Sequence, residues 1–164
     1  MTKIKPGVIL CLILFIIWIL LAGTDWNELV AGAIAAVLLS LFFTSKVTML
    51  GNLRFTPKSF FFLILYILVF LRELVKSTLD VAGRVISPRL PINPGIVKVH
   101  TRLKNPLSRL ILANSITLTP GTMTVETRDD YFYIHWIDIR TDDIEATTKA
   151  IVSTFEKYLE VIFE

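Results

Sequence analysis

The sequence predicts an α+β chain: an N-terminal membrane helical region, made of a short helical hairpin and a third apolar to amphipathic helix, followed by a small βαββα domain. Three observations carry this reading. Of 164 residues, 54% are hydrophobic and 19% charged, an unusual balance for a water-soluble domain. Nearly all the excess lies before residue 75, where runs 8–22, 29–43 and 60–71 hold no charge. Beyond residue 95 the apolar period changes to two, and Ser87-Pro88 and Asn93-Pro94-Gly95 break the chain ahead of that change. The expected division is 1–86 membrane helical region, 87–95 linker and 96–164 α+β domain.

The first two runs are 15 residues each, about 23 Å of helix against roughly 30 Å of hydrocarbon. Between them Gly23 stops one helix, Asp25 with Glu28 three residues on forms a capping box for the next, and Trp26 suits an interface. Lys3, Lys5 and the small segment Ala22-Gly23-Thr24 also fit a cleaved signal. The second run follows so closely, however, that a hairpin is the expected form. Cys11 is the single cysteine, which excludes an intrachain disulfide and a cysteine metal site.

Thr56-Pro57 opens the third helix as N-cap and first residue. It is apolar to Leu71, then keeps Leu74, Val75 and Leu79 on a stripe while charges take the other face, so it leaves the membrane along its surface. Residues 97–104 alternate Val97, Val99 and Leu103 with Lys98, His100, Arg102 and Lys104, a half-buried strand. Asn105-Pro106 caps a short helix to about Asn114, with Leu107, Leu110 and Ile111 facing one way. Strands 123–128 and 131–139 form a hairpin about Asp129-Asp130. Asp142 with Glu145 opens one final helix, whose stripe is Ile144, Ile151, Phe155, Tyr158 and Ile162.

Positive residues mark the cytoplasmic side, and they cluster at Lys3 and Lys5, at Lys46, Arg54 and Lys58, and from Arg72 to Arg109. A hairpin plus a shallow or partly inserted third helix puts all three clusters on that side. A full third span of the 60–71 run is the rival arrangement. The expected location is the plasma (inner) membrane, integral, with the C-terminal domain cytoplasmic.

No phosphate loop, paired-cysteine or His-x-x-x-His metal spacing, or nucleophile elbow is present, so neither an enzyme nor a cofactor is expected. His100 and His135 both fall on strands; they are a metal pair or, far more commonly, surface histidines. Lys98, Arg102 and Lys104 lack interleaved stacking aromatics, which points away from nucleic acid and towards anionic lipid headgroups. An ion path needs ionisable groups in mid-membrane, and the apolar runs hold no Asp, Glu, Lys, Arg or His.

The stretch 113–126, ANSITLTPGTMTVE, is the most distinctive. Pro120 sets φ near −65° and Gly121 is free to take φ > 0, as a type II turn requires, so a helix ends here and a strand begins. Ser115, Thr117, Thr119, Thr122 and Thr124 either satisfy backbone groups locally or form a docking loop. The segment Asn114, Ser115, Ile116, Thr117, Leu118, Thr119, Pro120, Gly121, Thr122 closely resembles the signature of the E subunit of the multisubunit Mrp-type sodium/proton antiporters. Glu126 stands where that family more often has aspartate. The resemblance implies a small accessory subunit with a cytoplasmic domain, needed for assembly and activity of a cation/proton antiporter whose ion path lies in larger subunits. Expected partners are those subunits and membrane lipids, with no small-molecule substrate bound by this chain alone. A free-standing membrane-anchored adaptor at an anionic lipid surface is the alternative.

Overall fold

A computed structural model describes residues 6–43, 56–141 and 143–164. Lys3, Lys5, Lys46, Arg54 and Asp142 lie outside them. The chain forms two compact units, Met1–Leu53 and Arg54–Glu164.

In the first unit, α1 (Pro6–Ala22) and α2 (Trp26–Phe43) pack as a hairpin. Gly23 ends α1 at φ 93°, a conformation natural to glycine. The buried stripe of α2 is Gly32, Ala36 and Ser40, small residues four apart that let two backbones approach. The Trp18 ring fills the space over Gly32, where a Cβ would lie 2.4 Å from Trp18 Cδ1. Most of the large apolar side chains of both helices are exposed. α2 is long and apolar enough to cross a membrane, and α1 is a shorter apolar helix.

The second unit starts with α3 (Pro57–Ile86), capped as expected by Thr56, whose hydroxyl accepts from Ser59 N at 3.1 Å. β1 (Gly95–His100), α4 (Pro106–Leu118), β2 (Thr122–Arg128), β3 (Tyr131–Trp136), α5 (Ile144–Ile151) and α6 (Ser153–Phe163) follow. The sheet is antiparallel in the order β1-β3-β2, and its register shifts between Thr124 and Glu126. Its inner face, with Val97, Val99, Phe132 and Ile134, packs in the core with Leu112, Ile116, Val152 and Leu159.

Several expectations are corrected in detail. The expected last helix is two, α5 and α6, separated at Val152. Asp143 caps α5, accepting from Ala146 N at 2.7 Å. β1 stops at His100 instead of running to Lys104: Thr101 N still donates to Asp130 O at 2.9 Å, but the Glu156 carboxylate then accepts from Thr101 Oγ1 at 2.6 Å and Arg102 N at 2.8 Å and turns the chain away from β3. Beyond Trp136 the strand partner changes: Ile139 N donates to Asn93 O, and Asn93 N to Ile137 O. α4 continues to Leu118, and its buried residues are Ser108, Leu112, Ser115 and Ile116 while Leu110 is exposed.

The unit boundary falls upstream of α3, whereas the sequence places its linker at 87–95. α3 is held to the sheet unit along its length: Phe62 meets Tyr158, Tyr66 and Phe70 both meet Phe155, and Arg84 meets Asp138.

Candidate functional site

The motif turn sits where α4 hands over to β2. Gly121 has φ 89° and Thr122 N donates to Thr119 O at 3.3 Å, completing the Pro-Gly turn that the sequence predicts. A Cβ on Gly121 would lie 3.0 Å from Ile137 Cγ2, and its carbonyl accepts from Ile137 N at 2.9 Å. The turn is thereby fastened to the chain just beyond β3.

Each hydroxyl of the stretch has local work. Thr119 Oγ1 donates towards Ser115 O and Ile116 O, and Thr122 Oγ1 towards Ile116 O at 2.6 Å. These are carbonyls of the last helical turn: Ser115 O also accepts from Thr119 N at 3.2 Å, whereas Ile116 O has no i+4 backbone donor because residue 120 is proline. Thr117 Oγ1 donates to Ala113 O and accepts from Thr124 N, while Thr124 Oγ1 also reaches Ala113 O. Ser115 bonds Ile111 O and the Tyr66 hydroxyl, which ties α4 to α3. Asn114 and Leu118 point outwards.

A cleft of about 510 Å³ opens beside the turn. Thr119 to Thr122 form one wall, Glu73 to Arg84 of α3 another, and Trp136 to Thr141 with the α5–α6 junction the rest. Arg84 organises it: the side chain, 11% exposed, pairs with Asp80 at 2.8 Å and Asp138 at 3.0 Å and donates to Pro91 O at 2.6 Å. The Arg84 hydrogen bond holds the Asp80 carboxyl below its usual value, and Asp80 in turn raises Arg84. Sequence reasoning missed this node; the Asp80–Arg84 spacing of four was its signal. It also missed Glu156, buried at 3% exposure, whose mark was an acid between Phe155 and Leu159 on an apolar face.

The other candidates do not assemble. His100 lies opposite Tyr131 and His135 opposite Ile96, four residues apart in register and about 14 Å along the sheet, so the imidazoles do not converge. Lys98, Arg102 and Lys104 do not share a strand face, since β1 ends at His100. Lys98 sits 3.9 Å over the Tyr131 ring, Arg102 pairs with Glu156 and Glu160, and Lys104 with Asp130.

An apolar hairpin, one of whose helices is long and apolar enough to cross a membrane, together with a compact α+β unit defines the class of small membrane-associated proteins. Likeness to known proteins makes this specific. The model of a family described as Na+/H+ ion antiporter subunit matches residues 11–162, and the chain belongs to this family of antiporter E subunits. The E1 subunit of the Na(+)/H(+) antiporter of Staphylococcus haemolyticus (strain JCSC1435) is 35% identical over 96% of this chain and 97% of its own. The corresponding E subunit of Alkalihalophilus pseudofirmus is 42% identical over 54% of this chain and 56% of its own. Among solved structures, a chain of the membrane-bound sulfane sulfur reductase, an archaeal respiratory membrane complex, is 42% identical, with TM-score 0.85 over 98% of this chain and all of that one.

Proposed function

We propose that this chain is an accessory subunit of a multisubunit cation/proton antiporter, needed for assembly and activity while the ion path lies in other subunits. The observation that carries it is the hairpin: runs 8–22 and 29–43 hold no Asp, Glu, Lys, Arg or His, and an ion path without such groups has no means of exchanging a proton for a cation. The relatives above are subunits of complexes, which favours this role over a free-standing adaptor. The α+β unit is assigned to the cytoplasm because a hairpin leaves Lys3, Lys5, Lys46 and Arg54 on one side. The motif turn is read as structural, since its hydroxyls are spent on the α4 terminus.

Proteoliposomes holding this chain alone should keep an imposed pH gradient when sodium is added. Removing the chain from its host should abolish exchange and lower recovery of the large subunits. Robust exchange by the isolated chain overturns the reading. Orientation is tested separately: with Cys11 replaced, Asp129→Cys on the exposed β2–β3 turn should react with impermeant thiol reagents only after the membrane is opened.

A second reading is favoured by the likeness to the respiratory complex chain, which covers nearly all of this one. The same accessory part would then serve a redox-driven membrane complex, and copurification with redox-cofactor subunits distinguishes that case.

A further inference from the structure

The domain-facing side of α3 accounts for only part of its surface. Phe62, Tyr66, Phe70 and Arg84 contact the rest of the unit, with Glu73 and Ser77 half-buried beside them. At 100° per residue these positions fall within an arc of about 80°. On the opposite side a second set is exposed along the whole helix. It begins with Phe60 and Phe61, continues through Ile64, Ile67, Leu68 and Leu71, and persists as Val75 at 59%, Leu79 at 67% and Ile86 at 81% exposure. This set holds one phase from the first turn to the last and is about 120° wide, broader than the narrow seam that a partner helix covers. Lys58, Arg72 and Lys76, all exposed, fall on one border of it. Arg72 and Lys76 share the single carboxylate of Glu73 at 3.7 and 3.4 Å, so the border remains net positive.

We infer that α3 lies in the plane of the membrane surface, with this stripe in the acyl boundary of the bilayer, the α+β unit mounted on its other face, and Lys58, Arg72 and Lys76 against anionic headgroups. The inference rests on the membrane reading above and assigns the residues that meet lipid. A spanning 60–71 run is disfavoured on physical grounds: α6 packs on Phe62, Tyr66 and Phe70 through Tyr158 and Phe155, so a span would draw α6, with its Glu156, Lys157 and Glu160, into hydrocarbon. A broad apolar face bordered by cations and begun by two phenylalanines is the pattern of a helix seated at a lipid interface. The charge on its border is complementary to anionic lipid.

The test uses the full chain with Cys11 replaced, reconstituted alone in nanodiscs of phosphatidylglycerol or of phosphatidylcholine. Spin labels are placed at Phe61→Cys, Leu68→Cys, Val75→Cys and Leu79→Cys, with Asp129→Cys as the solvent reference. All four stripe labels should show an oxygen-to-nickel accessibility ratio several-fold above the reference and a common shallow depth, about 5–10 Å inside the headgroup boundary. Arg72→Glu with Lys76→Glu should move the Val75 label outwards in phosphatidylglycerol and leave it unmoved in phosphatidylcholine. A depth profile that peaks near Leu68 and returns to water by Leu79 shows a span and overturns the inference. Stripe labels as wet as the reference in both nanodiscs show a face made for a protein partner, and overturn it too. Because the chain is measured alone, failure of the antiporter role leaves these readings unchanged.

Discussion

α2 and α3 are written with much the same residues and used in opposite ways. From Leu29 on, α2 holds no charge on any side; its buried positions are Gly32, Ala36 and Ser40, and most of its large side chains look outwards. α3 divides its surface, with Phe62, Tyr66, Phe70 and polar groups towards the sheet unit and a wholly apolar stripe away from it. The difference extends to the two units that contain them. The hairpin is specified by close approach, with Trp18 lodged over Gly32, and Trp18 Nε1 is the one buried side-chain N or O without a hydrogen-bond partner among the described residues. In the α+β unit, buried Thr101, Ser108, Ser115, Thr119 and Glu156 all have partners. Apolar burial drives little association in lipid, where close packing and interhelical hydrogen bonds, such as that from buried Ser40 Oγ to Gly7 O, do the pairing. A unit facing water also uses buried polar groups to fix its loops, provided each is satisfied.

The largest effect that would break this contrast comes from the buried acid. Glu156→Ala strands the Thr101 hydroxyl and the Arg102 N–H, and should cost about 3 kcal/mol. Thermal unfolding of the purified full chain should show a clear fall in Tm. An unchanged Tm would mean that satisfied polar groups do not hold the α+β unit.

In the hairpin the corresponding change adds volume. Gly32→Val places Cβ into the Trp18 ring and should destabilise the α1–α2 pairing by about 1–3 kcal/mol, read as loss of proximity between probes on the two helices. Trp18→Ala in the same protein relieves the clash; if it fails to restore proximity, close packing is not what pairs the helices.

Smaller effects belong to the motif turn. Gly121→Val should cost about 1–2 kcal/mol, because a side chain is disfavoured at φ 89° and Ile137 must also shift. Thr119→Ala removes a buried hydroxyl that serves the helix end and should cost about 1 kcal/mol. The two melting temperatures should fall in that order. Thr119→Ala with an unchanged Tm but weakened copurification of partner subunits would turn the loop from a structural device into a docking one.

The smallest effect is acid loosening of two ion pairs, one in the cleft and one at the β2–β3 turn. Asp80 has a depressed pKa through Arg84, and Asp130 through Lys104. Their stabilising contribution is therefore complete above the unfolded-state value of about 3.9 and is lost as pH falls through the folded-state values. Stability should decline gently below about pH 4, and Asp80→Asn should flatten part of that decline.

Local chemistry made much of this legible from the residues. Thr56-Pro57, Asn105-Pro106 and Gly23 fix helix ends because capping and φ > 0 are properties of those residues wherever they stand, and Pro120-Gly121 fixes the turn for the same reason. Alternation of Val97 and Val99 located the inner face of β1, since a strand's period of two needs no tertiary information. The tertiary structure alone decided what depends on residues distant in the chain. Glu156, 55 residues from Thr101, turns the chain away from β3 after β1 by accepting from the Thr101 hydroxyl and the Arg102 N–H. Arg84 selects Asp138 as well as its neighbour Asp80. Helical periodicity shows that α3 can have two faces, but an apolar arc reads alike whether lipid or protein will cover it. The partition between Tyr66 inwards and Leu68 outwards came only from the packing of Phe155, Tyr158 and Ser115 against one side.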